Sequence, residues 1–259
     1  MHSEPDRISE TARFHIAIIM DGSGRWAVSR HLPRREGHRA GARTIREIVD
    51  AALLLPIRTL TLFAFSENNW GRPVTEVLGL MDLFENFFRS ERKRWLRQGI
   101  RFSVMGRRDR LPGSLVQAIE ESEMTTRCGA RLHLRIAIDY SARSALLEAA
   151  RRFHQAPSQT REEFSRLLAE VCHSSLEDLE IDLLIRTGGE YRLSDFLLWE
   201  SAYAELLFSS KLWPDFNAAD LEAAIREFRS RERRYGRLPA TEMVPENVMP
   251  AISSFETAI

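Results

Sequence analysis

With 259 residues, 44% of them hydrophobic and 29% charged, the chain is long enough for one large α/β domain with a full core, and nothing in its composition suggests disorder or a fibre. Lys plus Arg and Asp plus Glu each total 37, which gives no reason to expect nucleic acid or an anionic membrane as the main partner; any anion site must be local.

The N-terminal segment 1–13 carries Glu4, Asp6 and Glu10 without an apolar stretch, so it is not read as a signal peptide. Phe14–Met20 then reads as a buried strand. It ends in Asp21-Gly22-Ser23-Gly24-Arg25-Trp26, where Gly22 and Gly24 permit a tight turn and a close backbone approach, and a following helix would aim free N–H groups at an anion. Arg25, Arg30, Arg34, Arg35 and Arg39 crowd the same stretch. Ile45, Ile48, Val49, Ala52 and Leu53 share one helix face. A second strand, Thr59–Phe65, ends in Ser66-Glu67-Asn68-Asn69-Trp70. A long helix from Glu76 to Arg97 places Val77, Leu80, Phe84, Phe87, Phe88 and Trp95 on one side.

Further strands are expected at Ile100–Met105, Leu132–Ile138, Ile181–Ile185 and Ala204–Phe208. The fourth ends in Asp139-Tyr140-Ser141 and the fifth in Arg186-Thr187-Gly188-Gly189. Cys128 and Cys172 stand outside any CxxC or zinc spacing, which suits reduced thiols in a cytoplasmic protein. No apolar run approaches the roughly 20 residues that span a bilayer. The tail 237–259 holds Pro239, Pro245 and Pro250 and reads as an extended or partner-dependent arm. Alternating strands and helices predict one α/β domain over 14–236, with a mainly parallel sheet covered on both faces.

In such sheets ligands bind beyond the carboxyl ends of the strands. Here those ends supply a carboxylate, arginines, hydroxyls and glycine turns, the inventory of a metal-assisted diphosphate site. Gly22-x-Gly24-x-x-Ala27 imitates a dinucleotide fingerprint, but that motif wants an acidic residue about 20 positions on at the end of the second strand, which lies about twice as far away here. Asp21 at the head of the loop would also repel a bare pyrophosphate; a cation between them resolves the conflict. Arg186 and Arg192 lie six apart across a glycine turn able to fold both guanidiniums toward one phosphate.

The run His15–Ala27, with Gly37-His38-Arg39-Ala40-Gly41, Phe65-Ser66, Asn69–Pro73, Asp182–Trp199, Ala202–Leu206, Trp213–Phe216 and Arg231–Gly236, resembles undecaprenyl diphosphate synthases and their cis-prenyltransferase relatives. The resemblance spans nearly the whole chain. It implies a homodimer, a parallel six-stranded sheet and an apolar tunnel in which the product grows. It also implies Mg²⁺ on Asp21, an allylic diphosphate on the loop of Gly22, Ser23 and Gly24 with Arg25 and Arg34, and isopentenyl diphosphate on Arg186, Arg192 and Ser194. Glu205 would assist the metal across the dimer interface, and Arg233–Gly236 would reach the partner's site in the same way. His38, Ser66 and Asn69 are candidates for orienting diphosphate or removing a proton, with an ordinary structural role as the rival for His38. Trp26, Trp70 and Arg72 join the substrate-binding candidates, although Trp26, Trp70, Trp199 and Trp213 equally suit packing.

The activity so implied condenses isopentenyl diphosphate with an allylic primer, farnesyl diphosphate for instance, into a Z-polyprenyl diphosphate such as undecaprenyl diphosphate. A short-chain or specialised synthase, and a non-catalytic partner subunit, are the alternatives. A peripheral membrane contact for product release belongs to the same expectation, and nucleic acid does not. Ser23 stands where asparagine is common in the family, Glu67-Asn68 where a Ser/Thr-Glu pair is frequent, and Asp139-Tyr140-Ser141-Ala142-Arg143 replaces an Asn-Tyr-Gly-Gly-Arg run. Asp139 is expected to cap the following helix, with altered metal binding as the other reading. Small Ala64 and the unbroken long helix favour a long product, whereas Phe87, Phe88 and the polar Glu85-Asn86 favour an early floor.

Overall fold

The computed structural model describes residues 13–174 and 180–231. The tail 237–259, the Arg233–Gly236 segment and residues 1–12 of the N-terminal segment lie outside the described residues. Six strands form: β1 (Phe14–Ile19), β2 (Ile57–Ser66), β3 (Ile100–Met105), β4 (Leu132–Tyr140), β5 (Leu183–Arg186) and β6 (Glu205–Phe208). They make one sheet in the order β3-β4-β2-β1-β5-β6, with every neighbouring pair parallel. The expected fold class therefore stands. β1 lies inside the sheet and is buried along its whole length, since helices cover both faces and leave no position for a polar alternation.

Helices α1 (Ser23–Val28), α2 (Arg34–Leu54), α3 (Val74–Gln98), α4 (Gly113–Thr126), α5 (Ala142–Phe153), α6 (Arg161–Val171) and α7 (Ala218–Ser230) fill the connections. One core cluster joins Ile45 of α2, Phe88 of α3, Leu115 of α4 and Leu221 of α7 to one face of the sheet. A second joins Ala145 of α5 and Leu168 of α6 to the other. Helix α3 follows Pro73, whose missing N–H costs nothing at a helix start, and stops at Gly99, where φ of 71° suits a residue without Cβ.

Two strands outrun their expected ends. β2 runs on through Ser66 and β4 through Tyr140, because Ser66 and Tyr140 still oppose each other in the parallel ladder. The carboxyl ends of β1, β2, β4 and β5 consequently meet at one edge, where Asp21, Ser66, Asp139 and Arg186 are delivered.

Candidate active site

Past β1 the chain turns sharply. The Asp21 amide donates to the Ile19 carbonyl at 3.0 Å and to Thr187 Oγ1 at 3.0 Å. The Asp21 carbonyl in turn accepts from Thr187 Oγ1 at 2.8 Å and from the Trp213 amide at 2.9 Å. Gly22 follows at φ 108°, where a Cβ would strike Leu212, so only glycine completes this turn. With its backbone fixed from two sides, Asp21 presents its carboxylate to two guanidiniums: Oδ2 lies 2.8 Å from Arg186 Nη2, and Oδ1 lies 3.1 Å from Arg25 Nη2.

Arg186 ends β5, is 3% exposed, and gives its other amino group, Nη1, to Ser194 Oγ at 2.7 Å and to the Arg192 carbonyl. Gly188 lets this strand end press against the loop, since a Cβ there would meet Arg25 Nη2 at 2.7 Å. Glu190 bridges Arg25 at 3.4 Å and Arg192 at 2.7 Å. Asp21, Arg25, Arg186, Arg192 and Ser194 thus form one connected group.

A second group gathers where α2 and the segment leading into α3 meet the first turn of α3. Arg34 Nε, His38 Nε2 and Arg72 Nη1 reach the Glu76 carboxylate at 3.3, 3.3 and 3.2 Å. Burial works to raise the Glu76 carboxyl, but Arg34, the bond from His38 and Arg72 outweigh it and hold the group below its ordinary value. Burial likewise dominates at His38 and lowers it despite its bond to Glu76. Sequence reasoning missed Glu76. The available signal was a carboxylate in the first turn of a helix, just after an arginine that the sequence had singled out.

Asp21 and Arg25 of the first group and Arg34, His38 and Arg72 of the second line a pocket of about 200 Å³; Arg186, Arg192 and Ser194 are not among its lining residues. Gly22, Ser23, Gly24, Arg25, Arg34, His38 and Arg72 line its polar part; Ile45, Ala64, Leu80, Leu83, Phe84, Phe87, Phe88 and Ile136 line its apolar part. Aromatic contacts stiffen the apolar end. Phe84 stacks on Phe88 with centroids 6.4 Å apart, Phe88 meets Phe102 at 5.0 Å, and Phe87 meets Trp95 edge-on at 5.9 Å. A cationic mouth on an apolar slot suits a ligand with a diphosphate head and a hydrocarbon tail.

The family model described as "Putative undecaprenyl diphosphate synthase" matches residues 19–236. The chain belongs to the undecaprenyl diphosphate synthase family. Isoprenyl transferase 1 of Bradyrhizobium diazoefficiens is 50% identical over 250 residues, 96% of this chain and 99% of that protein. Among solved structures, lavandulyl diphosphate synthase from Lavandula x intermedia in complex with dimethylallyl diphosphate aligns with a TM-score of 0.82 and 35% identity, over 88% of this chain and all of that one. A probable undecaprenyl diphosphate synthase from Campylobacter jejuni aligns with a TM-score of 0.72 and 29% identity, over 87% of this chain and 99% of that one. As a member of the undecaprenyl diphosphate synthase family the chain is a prenyltransferase of isoprenoid biosynthesis, with prenyl diphosphates as its substrate class.

Other candidate residues fall elsewhere in this family member. Ser66 and Asn69 cap each other across the 3-10 turn Glu67–Gly71, the Ser66 amide donating to Asn69 Oδ1 at 3.1 Å, and neither lines the pocket. The Trp70 indole donates to Asp139 Oδ1 at 2.8 Å, and that of Trp26 donates to Asp215 Oδ1 at 2.7 Å. Glu205 opens β6 opposite Leu183, at the amino end of the sheet, and pairs with Arg231 at 2.8 Å; within one chain it does not meet Asp21.

Asp139 departs from expectation. It is buried at φ 51°, with Arg110 Nε 2.9 Å from Oδ2, and it does not cap the next helix. Ser141 caps α5, accepting from the Ser144 amide at 3.1 Å. The reason is the extension of β4 through Tyr140, which leaves Asp139 inside the strand and turned toward the β3–α4 loop.

Proposed function

We propose that this prenyltransferase joins isopentenyl diphosphate to an allylic diphosphate in the cis configuration. The observation that carries this reading is the pocket whose polar mouth is lined by Asp21, Arg25, Arg34, His38 and Arg72 while its depth is apolar. The allylic head would lie on the Gly22–Gly24 loop with Arg25, Arg34 and Arg72, and its tail would lie along Ile45 and Leu80. Isopentenyl diphosphate would take Arg186, Arg192 and Ser194.

In the reaction the allylic C–O bond breaks with its electron pair leaving on the diphosphate. The isopentenyl double bond attacks the freed carbon, and a proton then leaves the condensing unit to restore the alkene. The arginines stabilise charge that grows on the leaving group, an interaction stronger in the transition state than in the ground state. His38, bonded to Glu76 at 3.3 Å at the mouth, orients the head group.

Among the described residues no cluster of three or more His, Cys, Asp or Glu could hold a metal by itself. Mg²⁺ bound through substrate phosphates and water asks for only one or two protein carboxylates, and Asp21 beside the glycine loop fits that demand. When bound, the ion adds positive charge beside the leaving diphosphate. Glu205 lies at the far end of the edge strand, so it serves Asp21 only from a second copy of the chain; a homodimer is part of the proposal. No helix among the described residues is long and apolar enough to cross a membrane, and the proposed setting is the cytoplasm with peripheral membrane contact for product release.

For the product, farnesyl diphosphate as primer and a Z-polyprenyl diphosphate such as undecaprenyl diphosphate form the first reading. The Phe84, Phe87 and Phe88 wall favours a second, a short-chain product, because a longer chain requires that wall to part. The test is incubation with Mg²⁺, labelled isopentenyl diphosphate and primers of several lengths, followed by product sizing and double-bond assignment. Incorporation is expected, abolished by EDTA and nearly abolished in Asp21→Ala. Full activity in that variant would remove the metal assignment; no incorporation with any primer would favour a non-catalytic partner subunit.

A further inference from the structure

Three residues other than glycine adopt left-handed backbone within four positions: Ser194 at φ 50°, Asp195 at φ 62° and Leu197 at φ 47°. Such conformations are unfavourable for residues with a Cβ and persist where surrounding contacts impose them. Gly188 and Gly189 just upstream take φ of 90° and 74° without a Cβ to strain.

Asp195 supplies the imposing contacts. Its Oδ1 accepts from the Arg143 amide at 2.9 Å, its Oδ2 accepts from Ser141 Oγ at 2.5 Å, and its carbonyl accepts from the Ala142 amide at 3.0 Å. Helix α5 already has its own cap in Ser141, so this second attachment does more than end a helix. It fastens the residue next to Ser194 to the rigid start of α5. Ser194 Oγ then accepts from Arg186 Nη1 at 2.7 Å, and Arg186 Nη2 reaches Asp21 at 2.8 Å. Arg186 Nε is buried without a hydrogen-bond partner among the described residues. The two amino groups of this buried guanidinium are thus held by Ser194, the Arg192 carbonyl and Asp21, and its orientation depends on where the latched loop places Ser194.

We propose that Asp195 is a positioning residue: by latching its loop to α5 it holds Ser194 and Arg186 in the geometry that receives isopentenyl diphosphate. The proposal rests on the functional reading above, which places isopentenyl diphosphate on those two residues. Asparagine can accept from the Arg143 amide, donate to Ser141 and tolerate left-handed backbone; alanine can do none of these.

The test compares Asp195→Ala, Asp195→Asn and Ser141→Ala with the wild type. Asp195→Ala is expected to raise KM for isopentenyl diphosphate at least tenfold, with KM for the primer changed less than about twofold. Asp195→Asn should recover most of that loss, and Ser141→Ala, which removes one of the three attachments, should fall between. Calorimetric titration of the primer-free proteins with isopentenyl diphosphate supplies a readout independent of turnover, and thermal melts report folding. Parallel rises in both KM values with a lowered melting temperature, or wild-type binding by Asp195→Ala, would overturn the positioning role. If Asp195→Ala does not fold, Ser141→Ala decides: selective weakening of isopentenyl diphosphate binding supports the role, and none refutes it. A wild type that neither binds nor incorporates isopentenyl diphosphate would sink the functional reading itself, a distinct result.

Discussion

Arg186 and Asp21 lie 165 positions apart in sequence and 2.8 Å apart in space. The register of the sheet creates that contact. Arg186 is the last residue of β5 and pairs with Ile19, the last residue of β1, so the two strand ends deliver their charges side by side. Arg186 Nη1 turns instead toward Ser194 and the Arg192 carbonyl, which makes one side chain the joint between the glycine loop and the arginine turn.

This joint predicts that Arg186→Lys is not conservative. Lysine keeps the charge but concentrates it at one point, so it cannot serve Asp21, Ser194 and the Arg192 carbonyl together. The expected loss in kcat/KM for isopentenyl diphosphate is about 100-fold, roughly 3 kcal/mol of transition-state stabilisation. Steady-state kinetics with a fixed primer measure it. A change of less than about threefold would mean that the planar fork is not used.

Phe87 predicts product length. It stands at the apolar end of the pocket, against Phe88 at 6.2 Å and Trp95 at 5.9 Å, with the Arg46 guanidinium 5.4 Å from its ring. Phe87→Ala removes that end wall, and chromatography should reveal longer products than those of the wild type. The cavity left behind is expected to cost about 3–4 kcal/mol of stability, read from denaturant unfolding. Unchanged product length in a folded variant would remove Phe87 from the account.

The strands were legible because buried parallel strands leave continuous apolar runs, and all six expected from sequence form. The loop from Asp21 to Arg25 was legible for a related reason, since its glycines and charges are adjacent in the chain. Glu76 was legible only through its neighbour Arg72, because its other partners Arg34 and His38 reach it only after α2 and α3 pack. Ser66 and Asn69, three positions apart, satisfy each other locally as a cap, a pairing that adjacency in sequence makes easy. Asp139 was assigned to the nearest helix, and a strand end two residues longer than its apolar run handed it to Arg110, 29 positions upstream.

That pair of a buried carboxylate and a solvent-reaching guanidinium predicts an asymmetry. Arg110→Ala leaves the Asp139 carboxylate enclosed with Trp70 as a donor but without its guanidinium, and a stranded buried charge costs about 3 kcal/mol. Asp139→Asn removes the charge while keeping an acceptor for the Trp70 indole, so it should cost distinctly less. Urea unfolding of both single variants and the double variant measures the coupling. Equal losses in the two single variants would show that the charge on Asp139 is not the source of the cost.

His38 predicts how stability depends on pH. Burial holds the folded-state pKa of His38 below the ordinary 6.5, so between these values the unfolded chain binds the proton and the folded one does not. Its contribution is complete above about pH 6.5 and is lost as pH falls through the folded pKa. His173, lowered chiefly by burial as well, acts in the same direction. Glu76, whose pKa lies below its ordinary 4.5, loses its contribution only at lower pH and does not obscure the histidine window. Urea midpoints should therefore fall between pH 7.5 and 5.5, and His38→Gln should reduce that slope without flattening it, because His173 remains. Glu200, whose carboxyl burial pushes above its ordinary 4.5, acts in the opposite direction, so the comparison with His38→Gln decides; a variant slope equal to that of the wild type would show that burial does not set the charge of His38.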